Sequence, residues 1–359
     1  MDECSCDPQL VEALETSGGS LLMNYQRLET LPGNIFCKIH SKLVRRIFGK
    51  CNLIKTISGV LVYVNIVEIY LPSNRMTRLP ESICDLQSLE SLNLTDNSVE
   101  ELPSSIGKLN KLNQLILRNN CLKRIPPEIG NLANLCMLDL AHNGLHQVPA
   151  QIKGCKSLKH LYLSNNKLAT LQRQVCDLET LEDVCVGSNN LLHLPPDLGT
   201  NRNLVSVNVS ENNFLTAIPW SLKGKHLKYH SSYLTQLTPI AATSTSMQPC
   251  YVNSNNDKVY LPNYLNINPG IPALMDLSAR AINLSTYKDS LLFDRLPKNV
   301  YDIIIDPTGH CNCCKNKLFW SVFVKSVGHA DFVSLDGGVT TSLHYLVFCC
   351  SSLCLDSFK

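Results

Sequence analysis

Asparagine recurs at positions 74, 97, 120, 143, 166, 189 and 212, an unbroken period of 23 residues that constrains the fold of this chain more than any other feature. A fixed period of this size marks stacked supersecondary units, none of which can bury its apolar face without its neighbours. In front of each asparagine stands an alternating apolar pair: Ile69/Leu71, Leu92/Leu94, Leu115/Leu117, Leu138/Leu140, Leu161/Leu163, Val184/Val186 and Val207/Val209. Alternation of period two predicts a short strand with one buried face.

Behind the asparagine come Leu79-Pro80, Leu102-Pro103, Ile125-Pro126, Val148-Pro149 and Leu194-Pro195, with Leu171-Gln172 as the exception and Ile218-Pro219 delayed by one residue. The proline ends regular pairing and turns the chain. A second apolar set, such as Ile83/Leu86/Leu89 and Ile106/Leu109/Leu112, closes each coil from its convex side. The expected fold class is an α/β solenoid, a horseshoe with a concave parallel sheet and one continuous core. The asparagines are expected to form a buried polar ladder, since an amide both donates and accepts and can satisfy backbone groups where the chain leaves each strand.

Upstream the pattern decays. Leu21/Met23 with Gln26, then Ile47/Gly49 with Asn52, predict two degenerate coils, while residues 33–46 and 58–68 fit poorly. The expected organisation is degenerate repeats and a cap over 1–65, then seven regular repeats over 66–224. The motif Leu-x-x-Leu-x-Leu-x-x-Asn-x-Leu-x-x-Leu-Pro-x-x-Ile-x-x-Leu resembles that of the intracellular leucine-rich-repeat proteins. The resemblance implies a protein partner held on the concave face, and it leaves the identity of that partner open.

Because the paired apolar residues point inward, the residues between and beside them point out from the sheet. The candidate partner-binding residues are Tyr70, Asn93, Ile116, Arg118, Asp139, His142, His160, Tyr162, Asp183 and Asn208, flanked by Glu68, Thr95 and Glu211. Tyr70, Tyr162, Arg118 and Ile116 are of the types that anchor interfaces. His142 and His160 lie at different strand positions with no third ligand beside them, which speaks against a metal there. A formal net charge of +2 with 17% charged residues predicts no basic face, so nucleic acid is not the expected partner.

The first residues, Met1-Asp2-Glu3-Cys4, lack the basic start of a secretory leader, and the apolar stretch Val60 to Leu71 is interrupted by Asn65 and Glu68. That stretch is well short of the roughly 20 residues that span a bilayer. The expected location is the cytoplasm, with the nucleus as the alternative, and no membrane partner. Seventeen cysteines in such a chain point to thiols or metal ligands rather than a disulfide framework. Cys84, Cys155 and Cys176 fall at or beside apolar repeat positions, where a thiol acts as a small hydrophobe.

After about residue 222 the period stops, and a stretch rich in Ser, Thr, Asn and Gln reads as a linker over 225–268. Two short helices are predicted over 269–305. Leu274, Ser278 and Ile282 stand four apart in the first, and Leu296, Val300 and Ile304 in the second, which has Pro297 at its start. One reading packs these stripes on each other or on the last coil. The other is a resemblance to the box by which SOCS-box-type proteins bind elongin C and a cullin: Leu274, Ser278 and Ile282 match the elongin motif, with Ser278 replacing the usual cysteine, and Leu296, Pro297 and Val300 match a cullin 2 element. That resemblance implies a substrate receptor of a ubiquitin ligase.

Residues 306–359 form a cysteine-rich, β-containing segment. Cys311 and Cys314 are a C-x2-C pair, Cys350 and Cys354 a C-x3-C pair, and two such pairs suit a closed tetrahedral zinc site that would hold a module with little core of its own. Cys313, Cys349, His310 and His329 are alternate ligands, and a redox pair or free thiols are the alternative chemistry. No nucleotide-binding glycine loop, nucleophile elbow or paired catalytic carboxylate is present, so an enzyme is not expected.

Overall fold

Each sequence period closes one coil around a three-residue strand. The computed structural model describes residues 12, 14–31, 40–57, 65–215 and 217–228, together with the backbone of Pro249–Val252, Lys258–Tyr260, Gly309–His310, Lys317–Leu318, Phe323–Asp331 and Ser342–Cys349. The chain divides into two units, Met1–Asn189 with Asn203–Val209, and Asn190–Arg202 with Ser210–Lys359.

In the first unit β1 (Ser20–Leu22), β2 (Arg46–Phe48), β3 (Glu68–Tyr70), β4 (Ser91–Asn93), β5 (Gln114–Ile116), β6 (Met137–Asp139), β7 (His160–Tyr162), β8 (Asp183–Cys185) and β9 (Ser206–Asn208) lie in chain order. All pair in parallel, and the register advances by one repeat at each step, so that Glu68, Ser91, Gln114, Met137, His160, Asp183 and Ser206 form one row. The central residue of each strand from Ile47 to Val207 is 0% exposed, as are Leu71, Leu94, Leu117, Leu140, Leu163 and Val186 just beyond the strands. Those second residues extend the ladder: the N–H of Leu94 donates to Ile116 O at 2.8 Å, and that of Leu117 to Asp139 O at 2.8 Å.

The two irregular coils carry β1 and β2, which pair with Leu21 opposite Ile47. Gly49 stands where later coils have leucine, and a Cβ there would lie 2.7 Å from Leu71 Cδ2. The neighbouring leucine therefore fills the volume that Gly49 leaves, which explains a glycine in a strand pattern.

Away from the sheet the coils return through 3-10 turns at Glu81–Asp85, Ser104–Lys108, Pro127–Asn131, Ala150–Gly154 and Arg173–Asp177. A 3-10 turn rises about 2 Å per residue against 1.5 Å for an α-helix, so it crosses the back of a short repeat with fewer residues. Pro80, Pro103, Pro126 and Pro149 precede these turns in extended conformation. Gln172 adopts nearly the same angles, φ −62° and ψ 136°, so this coil keeps its path without the proline. Successive turns approach closely: a Cβ on Gly154 would lie 2.2 Å from Gly130 O, which only glycine permits.

In the second unit Leu191, Leu194, Leu198, Leu215, Ile218 and Leu222 are buried. Ser221 Oγ donates to Pro196 O at 2.7 Å and accepts from Gly199 N at 3.1 Å. Its strands are β10 (Ala217–Pro219), β11 (His226–Lys228), β12 (Pro249–Val252), β13 (Lys258–Tyr260), β14 (Gly309–His310), β15 (Lys317–Leu318), β16 (Phe323–Asp331) and β17 (Ser342–Cys349). β17 lies between β10, to which it is parallel, and β16, to which it is antiparallel, while β12 pairs with β13 and β14 with β15. Among the described residues no helix is long and apolar enough to cross a membrane, and no three metal-ligating side chains converge.

Candidate functional site

The outer face of the sheet is held by a polar seam just behind it. Asn97 donates through Nδ2 to Leu71 O and Leu94 O, both at 3.0 Å, and accepts at Oδ1 from Met76 N at 3.0 Å. Asn120 repeats the pattern with Leu94 O at 2.9 Å, Leu117 O at 3.1 Å and Val99 N at 2.9 Å. Asn74, Asn143, Asn166 and Asn189 do the same, and Asn52 makes the corresponding bonds in the second coil. Each amide thus ties the backbone of two adjacent coils and supplies donors to carbonyls at the turn.

Immediately before each of these asparagines the chain passes through the left-handed region, at Cys51, Ser73, Asp96, Asn119, His142, Asn165 and Ser188, with φ between 53° and 56°. Asn, Asp and His tolerate this conformation best. His142, expected as a contact residue, therefore also shapes the turn. The sequence pattern of strand and ladder positions carries no mark of this step, because the residue types that occupy it vary.

Flanking each buried centre, two residues face outward in aligned columns. Tyr70, Asn93, Ile116, Asp139 and Tyr162 stand side by side in one column, and His160 faces Asp183 in the other. Asn208 continues the first column opposite Cys185. Across β5–β8 these groups satisfy one another. Arg118 Nη2 lies 3.1 Å from His142 Nε2 and Asn165 Nδ2 3.3 Å from the same atom, and since both are donors, Nε2 is placed as the acceptor. His160 Nδ1 is 2.8 Å from Asp183 Oδ2, and its ring stacks near Tyr162 with centroids 6.2 Å apart.

Burial pushes the Asp139 carboxyl up, against the opposing pull of the Ala141 N–H, Arg118 and His142. Burial first, then the carboxylate of Asp183, pushes the Tyr162 phenol up as well. The Tyr162 ring flanks the histidine–carboxylate pair, and Cys185 stands opposite Tyr162 on the next strand.

Toward β1 the face changes character. Leu22, Phe48 and Tyr70 continue the same column, Leu22 is 63% exposed, and the rings of Phe48 and Tyr70 lie 6.0 Å apart. Tyr25, 67% exposed, stands beside them. Sequence reasoning passed over Leu22, Tyr25 and Phe48, since the irregular spacing of the first coils hides their alignment. The signal for Leu22 and Phe48 was the position two residues before Asn24 and Lys50, matching Tyr70 before Pro72; Tyr25 had none.

Cys84 and Cys155 are buried, and burial pushes the Cys155 thiol up to about 12, as expected of a thiol serving as an apolar group. Leu274, Ser278, Ile282, Leu296, Pro297 and Val300 lie outside the described residues, as do Cys311, Cys314, Cys350 and Cys354.

Residues 88–145 and 110–168 each match the leucine rich repeat family model, so the coils that carry β4–β7 are similar to leucine-rich repeats. Among solved structures the chain is similar to a leucine-rich-repeat protein of Leptospira interrogans, with 26% identity and a TM-score of 0.51 over 59% of this chain. The match spans 60% of that protein's length. No curated protein matches the chain.

Proposed function

We propose that this chain is a non-enzymatic interaction protein that holds a partner protein against the outer face of β1–β9. The observation that carries the reading is the aligned outward columns, whose side chains differ from coil to coil while the core and the asparagine seam behind them repeat. A rigid backbone that presents a varied row of aromatic, charged and amide groups can select a protein surface at little entropic cost. Leucine-rich repeats and the Leptospira structure support the fold on which this rests.

A finer reading makes the chain the substrate receptor of an elongin C–cullin 2 ubiquitin ligase. It is supported by the spacing of Leu274, Ser278 and Ile282 ahead of Leu296, Pro297 and Val300. A structural zinc held by Cys311, Cys314, Cys350 and Cys354 accompanies it. The zinc is supported by the spacing of the two pairs, C-x2-C and C-x3-C, and by the antiparallel pairing of β14 with β15, Gly309 opposite Leu318. Four thiolates would complete a tetrahedral shell and leave no open position for a substrate, which favours zinc over thiol exchange. The order of solenoid, Leu-Pro segment, Gly309-His310-Cys311-x-x-Cys314 and Cys350-Ser351-x-x-Cys354 also resembles leucine-rich-repeat-containing protein 28. A cytoplasmic or nuclear location fits these partners and reduced thiols.

Affinity purification tests both levels. Three full-length forms are compared: wild type, Arg118→Ala/Tyr162→Ala, and Leu274→Ala/Val300→Ala, each checked for folding. The interaction reading expects a specific protein with wild type that is lost from the first variant. The ligase reading expects elongin C and cullin 2 to be lost only from the second. Absence of elongin C and cullin 2 from wild type would rule the ligase reading out.

A further inference from the structure

The two ends of the outer face differ in how far their polar groups are already satisfied. On β5–β8, Arg118, His142 and Asn165 bond one another, and His160 bonds Asp183. A partner docking there must exchange polar bonds already made, so its gain at this end comes from the surfaces of Tyr162 and Ile116 more than from new polar bonds. On β1–β3 the situation is reversed. Residues 40–57 contain Lys42, Arg45, Arg46, Lys50 and Lys55 and no acidic residue. Arg46 is answered by Glu68 at 3.7 Å and Lys55 by Glu29 at 3.1 Å, whereas among the described residues Lys42, Arg45 and Lys50 have no carboxylate partner.

Lys50 is a cation that both Tyr25 and Tyr70 act on. Its ammonium is held above the usual lysine range first by Tyr25, through charge and then a hydrogen bond, and next by Tyr70. Two phenols therefore stand beside one cation that has no carboxylate partner among the described residues, with Leu22 and Phe48 in the same column as Tyr70. Tyr25 is also held where a bulky side chain is disfavoured: its φ is 60°, at the turn position that the later coils give to Ser73, Asp96, Asn119 or Asn165. Its N–H donates to Lys50 O at 2.9 Å, fixing the ring's base against the next coil. The repeat turn imposes this conformation in every coil, and the first coil alone places an exposed aromatic ring there, beside a lysine.

We propose that the β1–β3 end of the face docks an acidic segment of a partner protein, in which an aspartate or glutamate sits next to a large apolar side chain. The carboxylate meets the Lys50 ammonium and the hydroxyls of Tyr25 and Tyr70, while the apolar neighbour covers Leu22 and Phe48. Charge complementarity selects the acid, and the pre-positioned rings supply the area. This rests on the protein-binding reading above and assigns it a location and a partner chemistry.

The test is selection of a displayed random linear peptide library on the purified full-length chain. Dissociation constants of the enriched peptides are then measured on wild type, Lys50→Glu, Leu22→Ser, Tyr162→Ala and Gln151→Ala, with thermal melting to confirm that each variant is folded. The expected result is enrichment of an acidic residue beside Leu, Ile or Phe, with Kd raised at least about tenfold by Lys50→Glu and by Leu22→Ser and unchanged by Gln151→Ala on the return side. Peptides without an acidic residue, peptides that bind Lys50→Glu as well as wild type, or no enrichment would each overturn the proposal. Peptides weakened by Tyr162→Ala alone would also overturn it, while leaving the outer face as the binding surface.

Discussion

At the residue scale, Asn120 shows what holds the coils together. Its amide donates to Leu94 O and Leu117 O and accepts from Val99 N, across two coils and out of reach of water. Asn120→Ala strands the Val99 N–H and removes one of two side-chain donors from Leu94 O and Leu117 O, which keep Asn97 and Asn143; one stranded group and two lost bonds predict a loss of about 2–3 kcal/mol in urea unfolding. His193 supplies a pH dependence. Burial pushes its imidazole down to about 4, and its Nδ1 is fully enclosed. The unfolded chain takes up a proton near the ordinary histidine value of about 6.5, and the folded chain only near 4. Its contribution is therefore fully present above about pH 6.5 and is lost as pH falls, by about 3 kcal/mol at about pH 4. His193→Gln should reduce the difference in stability between pH 7 and pH 4 by that amount, measured as urea midpoints of the two proteins at both pH values. The ladder role of asparagine was legible because period and chemistry agree. The left-handed residue before it was not, since Cys51, Ser73, Asp96 and His142 share a backbone conformation and no side-chain pattern.

At the element scale, what the sequence discloses depends on how tightly packing restricts residue type. The strand centres admit only Ile, Leu or Val, because each is fully enclosed between neighbouring coils. The pattern of apolar pairs consequently places β3–β9 without ambiguity. The return turns are less demanding: Gln172 replaces proline with the same extended backbone, so the missing proline signals no break. Gly49 takes a position that later coils give to leucine, and Leu71 of the next coil occupies the volume it leaves. That compensation involves two residues in adjacent coils and has no signature in either alone. The aromatic shelf of Leu22, Phe48 and Tyr70 was hidden for a similar reason, because its column becomes visible only when the parallel register aligns coils of unequal length.

At the scale of the whole molecule, the repeats make a surface whose chemistry varies over a constant frame. A solenoid of this kind is stabilised by contacts between neighbouring coils, so outward residues can change with little effect on folding. That separation is why the fold was readable from the period and the partner was not: the outward columns are free of the constraints that write a pattern. The central claim is that a protein partner sits on the outer face of β1–β9. It is tested most directly by placing a photo-crosslinking amino acid at position 162, on that face, or at position 151, which is exposed on a 3-10 turn of the return side. Both forms would be irradiated in cells as full-length chains, and the adducts identified by mass spectrometry. The account expects a discrete protein adduct at Tyr162 that is absent at Gln151. Adducts at Gln151 alone, or the same adducts at both positions, would contradict it.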